Sequence, residues 1–151
     1  MNRRFRRKAN GPPFAQLYRY MLNTGAWKSL SLAARAAMIE LHQCYNGVNN
    51  GRIAMSVRLL AERLGCSKDT AARALNELEE KGFVEVVKVG TFRRHDRLAT
   101  EYCLAEYRND VTGALPTKKF MDWKPQPSRL RVVGHDRKAR VAVPAIRPQR
   151  S

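Results

Sequence analysis

Apolar residues recur at the three- and four-residue spacing of an α-helix in three stretches of this chain. The spacing predicts helices over residues 31–45, 56–64 and 67–81. Each stretch begins at a serine, whose hydroxyl is a good acceptor for the free N–H groups of a first helical turn. Gly65 and Gly82 follow the second and third stretches, and glycine readily adopts the left-handed conformation that ends a helix. A run of turn residues at 46–51 follows the first stretch, so all three helices are predicted with both ends marked.

Shorter elements surround these helices. Residues 14–21 carry apolar side chains at helical spacing and predict a short helix, whereas residues 27–30 are interpreted as a linker. Residues 52–55 are a brief apolar run between turn residues, which favours one short strand. Residues 83–89 and 99–104 are rich in β-branched and aromatic side chains, typical of strands.

A polar, basic loop at residues 90–98 joins the last two strands, so they predict a hairpin. Only about three residues around Gly65 separate the second and third helices, which forces the sharp crossing of a helix-turn-helix. We therefore expect a mainly α fold with a small β-hairpin, a winged helix-turn-helix of order α-α-β-α-α-β-β with flexible basic arms. The expected division is a basic arm at 1–13, the winged helix-turn-helix domain at 14–105, an extension packing on it at 106–123 and a proline-containing tail at 124–151.

The charge is concentrated at the two ends of the chain. The net charge is 29 − 13 = +16. Residues 1–13 hold five basic groups and no acid, and residues 124–151 hold eight basic groups and one acid. The 110 residues between them hold sixteen basic and twelve acidic groups, so the middle is nearly balanced. Cationic arms suit a polyanion such as nucleic acid. The 44% hydrophobic content excludes a fully disordered chain, and no apolar run is long enough for a membrane span or a secretory signal.

The helix predicted at 67–81 has two different faces. Ala71, Ala74, Leu75 and Leu78 share the side that would pack in the core. The other side presents Asp69, Ala72, Arg73, Asn76 and Glu80. An arginine can donate two hydrogen bonds to guanine, and an asparagine can pair with adenine. This helix is therefore the expected recognition helix, and its three glutamates, Glu77, Glu79 and Glu80, are expected to lie away from the DNA backbone.

The other candidate contacts lie at helix N-termini and in the wing. Lys68, Thr70 and the N–H groups after Ser67 are placed for phosphate. The loop over 91–97 has three arginines, which suit a minor groove or its flanking phosphates. The candidate DNA-binding residues are Ser56, Arg58, Ser67, Lys68, Asp69, Thr70, Arg73, Asn76, Arg93, Arg94, His95 and Arg97.

The stretch from Met55 to Val84, MSVRLLAERLGCSKDTAARALNELEEKGFV, resembles the core of GntR-type and MarR-type winged-helix regulators. It is also similar to the winged-helix domains of plasmid and phage replication initiators and of mobile-element proteins. The resemblance covers about residues 27–105 and implies a DNA-binding winged helix. The chain departs from the GntR-type pattern at Ala72, where that family usually carries a DNA-contacting arginine. Base readout is therefore expected from other residues.

Nothing in the sequence predicts an enzyme, a cofactor or a metal site. The three cysteines form no CxxC pair, and the three histidines lie far apart without ligand spacing. Phe120 and Trp123 are expected either to clasp the domain or to bind a partner.

The expected function is sequence-selective binding of double-stranded DNA, as a transcriptional regulator of a phage, plasmid or integrative element. A replication-initiation module and an architectural factor for recombination are alternatives within this class. A basic RNA-binding or ribosome-associated winged helix and a protein-interaction module are alternatives from other classes. The expected partners are DNA and, as a homodimer or cooperative array, further copies of the chain, with no membrane and no small-molecule ligand. The expected location is the bacterial cytoplasm, in association with the nucleoid.

Overall fold

The computed structural model describes residues 14–93 and 96–125, with side chains described for all of these except residues 92, 93, 96 and 97. The helices and strands follow in chain order: α1 (Arg19–Leu22), α2 (Gly25–Lys28), α3 (Leu32–Cys44), β1 (Ile53–Met55), α4 (Val57–Leu64), α5 (Lys68–Glu80), β2 (Val84–Lys88), β3 (Thr91–Arg93), β4 (Asp96–Leu98), β5 (Thr100–Leu104) and a 3-10 turn (Lys119–Met121). The expected arm at 1–13 and all but the first two residues of the tail at 124–151 lie outside the described residues.

The three long helices begin where the serines predicted. The hydroxyl oxygens of Ser31, Ser56 and Ser67 each accept a hydrogen bond from the backbone N–H three residues later. Gly65, at the end of α4, has a left-handed backbone with φ 62° and ψ 35°. Gly82 follows α5 with φ +76°, and a Cβ there would lie 2.6 Å from the Cβ of Lys119. Glycine is therefore required at residue 82 both for its conformation and for the close approach of the C-terminal extension.

β1, β5 and β2 form one three-stranded antiparallel sheet, in that order. β5 occupies the centre because β1 pairs along one of its edges and β2 along the other. Together with the helices, this sheet confirms the expected mainly α fold with a small β component, and it is compatible with a winged helix-turn-helix.

The core lies between this sheet and helices α3, α4 and α5, which pack against one another. The predicted core face of α5 is confirmed, because Ala71, Ala74, Leu75 and Leu78 are all buried. From the C-terminal extension, Phe120 is fully buried, and its ring stacks on that of Phe83 at 5.0 Å between centroids.

Three local expectations were wrong. Residues 27–30 are not simply a linker, because α2 covers Gly25–Lys28, capped by the Thr24 hydroxyl oxygen, which accepts from Trp27 N–H at 3.1 Å. The first helix begins at Arg19 and not near Phe14, whose side chain is 76% exposed. The stretch 90–98 is not a plain loop, since β3 and β4 pair within it as a second, smaller ladder.

Candidate nucleic-acid interface

A tight turn joins α4 to α5. The backbone N–H of Cys66 donates to the Ala61 carbonyl at 3.0 Å, which closes the end of α4 around left-handed Gly65. Ser67 then caps α5, and its hydroxyl lies 2.9 Å from the hydroxyl of Thr70. Because only Gly65, Cys66 and Ser67 lie between the two helices, their axes must cross sharply. This is the geometry of a helix-turn-helix, with α5 as its second helix.

The surface of α5 away from the core carries the two candidate base-reading side chains. Arg73 and Asn76 are both exposed. In the described part of the chain, neither side chain has an ion pair or a hydrogen bond to another residue. Their donors and acceptors are therefore open to a ligand. Ala72, between the core face and this surface, is half-buried and offers only a methyl group.

The first turn of α5 holds the candidate phosphate contacts. Ser67, Lys68 and Asp69 are exposed, and Thr70 is half-buried. The hydroxyl of Ser67 already accepts the Thr70 N–H, so this oxygen serves the helix first. Lys68 brings a cation to a helix end that itself attracts anions, whereas Asp69 opposes it.

The last turns of α5 carry three glutamates whose surroundings differ. Glu79 and Glu80 are exposed, whereas Glu77 is half-buried and bonded to the start of α3. Partial burial raises the pKa of the Glu77 carboxyl, but hydrogen bonds from Lys81 and Ser31 outweigh it, so the pKa lies below its ordinary value. Glu77 is therefore a carboxylate at neutral pH, held by the protein itself.

The start of α4 lies beside the base of the wing. Ser56 caps α4 by accepting the Leu59 N–H at 3.1 Å, and Arg58 is exposed on the first turn. A groove of about 470 Å³ separates this end of the helix from the wing, and Val89 and Leu98 are among the residues that line its other side. The fold thus brings two of the predicted residues, Ser56 and Arg58, next to the wing although about thirty-five residues separate them in sequence.

The wing itself is a two-stranded ladder. Backbone pairing sets Thr91 opposite Leu98, and Arg93 opposite Asp96. Arg93 and Arg97 therefore lie on β3 and β4, on opposite strands of one ribbon. Arg94 and His95, the predicted tip, lie outside the described residues.

Sequence reasoning missed the buried polar groups. The fully buried side chain of Asn50 donates to three carbonyls, including that of Leu104 at 3.0 Å, and accepts the Leu104 N–H at 2.7 Å. His42 Nε2 and Glu106 Oε1 lie 2.7 Å apart, both buried, although not in hydrogen-bond geometry. The asparagine belonged to a run of turn residues and the other two pair across 64 positions, so no local pattern gave a signal for any of them.

Groupings that would support other chemistry are not found in the described residues. No three His, Cys, Asp or Glu side chains there are grouped to hold a metal ion. Burial raises the pKa of the Cys103 thiol to about 11, so it stays protonated at neutral pH and is a poor nucleophile. No helix within the described ranges combines the length and apolarity needed to cross a bilayer.

A family profile described as a helix-turn-helix domain matches residues 28–84. That range extends from the end of α2 to the first residue of β2 and so contains α3, β1, α4 and α5. Comparison with curated proteins and with solved structures finds no match. A domain of this kind is typically a non-enzymatic DNA-binding domain. Residues 28–84 therefore form a helix-turn-helix domain, and this domain suggests DNA as the partner.

Proposed function

We propose that this protein binds double-stranded DNA with sequence preference, through α5 in the major groove and the wing at residues 91–97 in the neighbouring minor groove. The observation that carries the proposal is the open surface of α5. Arg73 and Asn76 point away from a fully buried face, and their side chains have no partner among the described residues. These are the side-chain types that read guanine and adenine in the major groove.

The distribution of charge along α5 supports an approach from its N-terminal half. Lys68 and Arg73 lie there with one acid, Asp69, whereas the last turns hold three glutamates and no base. A recognition helix contacts base edges mainly through its N-terminal residues, so the acidic turns are kept from the phosphates. Ser56 and Arg58 lie beside the protein groove at the base of the wing. Together with the arginines of the wing, they would contact DNA phosphates.

The two basic arms are assigned a sequence-independent role. Each phosphate that a cation neutralises releases counterions, so the logarithm of affinity falls with the logarithm of salt at a slope of about −0.9 per phosphate. Deleting residues 1–13 and 124–151 is therefore expected to flatten the salt dependence and to keep the preferred sequence. Loss of preference with affinity retained would contradict this division of labour.

For biological role we propose a transcriptional regulator of a phage, plasmid or integrative element, acting at the bacterial nucleoid as a homodimer or cooperative array. A single helix-turn-helix reads only a few base pairs, and paired half-sites extend the site. Initiation of replication and an architectural role in recombination use the same DNA-binding surface.

Selection of bound fragments from random duplexes and from host DNA tests the proposal directly. We expect one enriched motif, repeated with a fixed spacing if the protein binds as a dimer. Motifs near promoters would support regulation, and clustered repeats near an origin would favour replication instead. Failure to enrich any duplex sequence, together with preference for structured RNA in competition, would overturn the proposal and favour an RNA-binding role.

A further inference from the structure

A salt-bridged pair at the end of α5 holds the corner between α2 and α3. Glu77 Oε1 accepts from the backbone N–H of Ser31 at 3.0 Å, and Glu77 Oε2 accepts from the Ser31 hydroxyl at 2.6 Å. Lys81 Nζ lies 2.7 Å from Glu77 Oε1 and donates to the Ser29 carbonyl, also at 2.7 Å. Glu77 in the last turns of α5 and Lys81 at its C-cap thus hold both sides of a three-residue corner.

The charges of the pair match the two helix ends that meet there. Ser29 is the C-cap of α2, where carbonyl groups carry partial negative charge, and Lys81 is the cation at that end. Ser31 is the N-cap of α3, where N–H groups carry partial positive charge, and Glu77 is the anion at that end. Each charge therefore lies beside the helix end of opposite sign.

The C-terminal extension contacts the same lysine. Lys81 Nζ lies 5.3 Å from the ring centroid of Trp123, within the range of a cation–π contact. Lys81 is half-buried and so is Trp123, which limits the freedom of the lysine to leave the pair. The C-terminal end of α5 is thus bonded to the α2–α3 corner and covered by residues beyond the family match.

We propose that Glu77 is a positioning residue for base recognition: through Ser31 and Lys81 it fixes the orientation of α5 and hence the aim of Arg73 and Asn76. This inference rests on the proposed function. Arg73 lies about one helical turn before Glu77, about 6 Å along the axis, so a rotation of α5 at the Glu77–Lys81 pair also moves Arg73. A two-hydrogen-bond contact to a base requires accurate placement, whereas a phosphate contact tolerates movement.

The test compares Glu77→Ala with Glu80→Ala. Both substitutions remove one negative charge from the last turns of α5, and Glu80 is exposed, with no ion pair in the described residues. Dissociation constants are measured for the selected duplex and for a scrambled duplex of equal length. We expect Glu80→Ala to keep the ratio of the two constants and Glu77→Ala to lower it by roughly five- to tenfold, part of what one two-bond contact contributes.

The ratio separates positioning from folding. A variant that is partly unfolded loses the same fraction of active molecules for both duplexes, so its ratio is unchanged. Should Glu77→Ala not fold at all, Lys81→Met provides the second test. It removes a positive charge, opposite in sign to the first variant, and we expect the same direction of change in the ratio.

Equal ratios for Glu77→Ala and Glu80→Ala, or for Lys81→Met and the unmodified protein, would overturn the inference and leave the proposed function standing. If the unmodified protein prefers no duplex, the proposed function itself fails. The two failures are therefore distinguishable in one set of titrations.

Discussion

The two ends of α5 are held in opposite ways. At its C-terminal end, Glu77 and Lys81 are bonded to the corner at Ser29 and Ser31, and Trp123 lies over the lysine. In its N-terminal half, Lys68 and Arg73 extend to solvent. The protein thus bonds Glu77 and Lys81 to its own α2–α3 corner and leaves Lys68 and Arg73 open to solvent.

This contrast indicates how a helix can be held in place by the protein and still present an open surface to a ligand. Bonds to an internal corner restrict the helix without occupying the surface that a ligand would contact. It also gives a structural role to one of the four acidic residues of α5, Glu77. Glu77 is a structural partner, and its negative charge is offset by Lys81.

The largest effect is expected on stability, from truncating Leu78, which packs the C-terminal end of α5 into the core. Leu78 is fully buried, so Leu78→Ala should lower the free energy of unfolding by about 2–5 kcal/mol, through lost burial and a residual cavity. Chemical denaturation measures this change. Exposed Glu80→Ala is the control, expected within about 0.5 kcal/mol. Similar losses for the two variants would mean that this end of α5 is not anchored by its core face.

A substitution in the exposed N-terminal half of α5 should lower DNA affinity and leave stability nearly unchanged. Arg73→Ala should cost about 1–3 kcal/mol in binding of the selected duplex and relax preference at one base pair. Its free energy of unfolding should change by less than about 0.5 kcal/mol, because the side chain is exposed and has no ion pair or hydrogen bond within the described residues. Fluorescence anisotropy gives the affinity. Arg19→Ala, on α1 outside the family match, removes the same charge and should retain the preference.

Substitutions of Ser67, the cap of α5, separate its contribution to stability from its contribution to DNA binding. Ser67→Ala removes the acceptor of the Thr70 N–H and should destabilise the protein by about 0.5–2 kcal/mol. Ser67→Asp keeps an acceptor and should recover most of that stability, while its negative charge weakens binding to any duplex. If Ser67→Asp is as unstable as Ser67→Ala in thermal unfolding, the cap is not what holds the first turn.

The smallest effect is expected in the pH dependence of stability that the Glu77 carboxyl causes. The folded pKa of Glu77 lies below its ordinary value of 4.5. Its contribution to stability is therefore complete above pH 4.5 and is lost as the pH falls through the folded pKa. Glu77→Gln should flatten the acid limb of a stability–pH curve, measured by denaturation at several pH values. An unchanged acid limb would show that the carboxylate adds nothing at this corner.

Much of the domain followed from local signals in the sequence. Serine caps, helical spacing and left-handed glycines fixed α3, α4 and α5, because each depends on atoms within one or two turns of chain. The exposed positions of Arg73 and Asn76 followed for the same reason, since a helix that buries Ala74 and Leu75 must present them to solvent. Residues with such local causes can be assigned from sequence alone.

Other features depended on contacts between distant segments. Glu77 and Ser31 are 46 positions apart, and His42 and Glu106 are 64 apart, so neither pairing leaves a periodic trace. The linker predicted at residues 27–30 contains the second half of α2, because so short a helix shows no period in the sequence. Its hydrogen bonds are supported by packing of Trp27 against Phe83. The sequence by itself determined which surface α5 exposes. The tertiary structure alone decided what holds that surface in place, because only folding brings the two helix ends of the α2–α3 corner to the charges that match them.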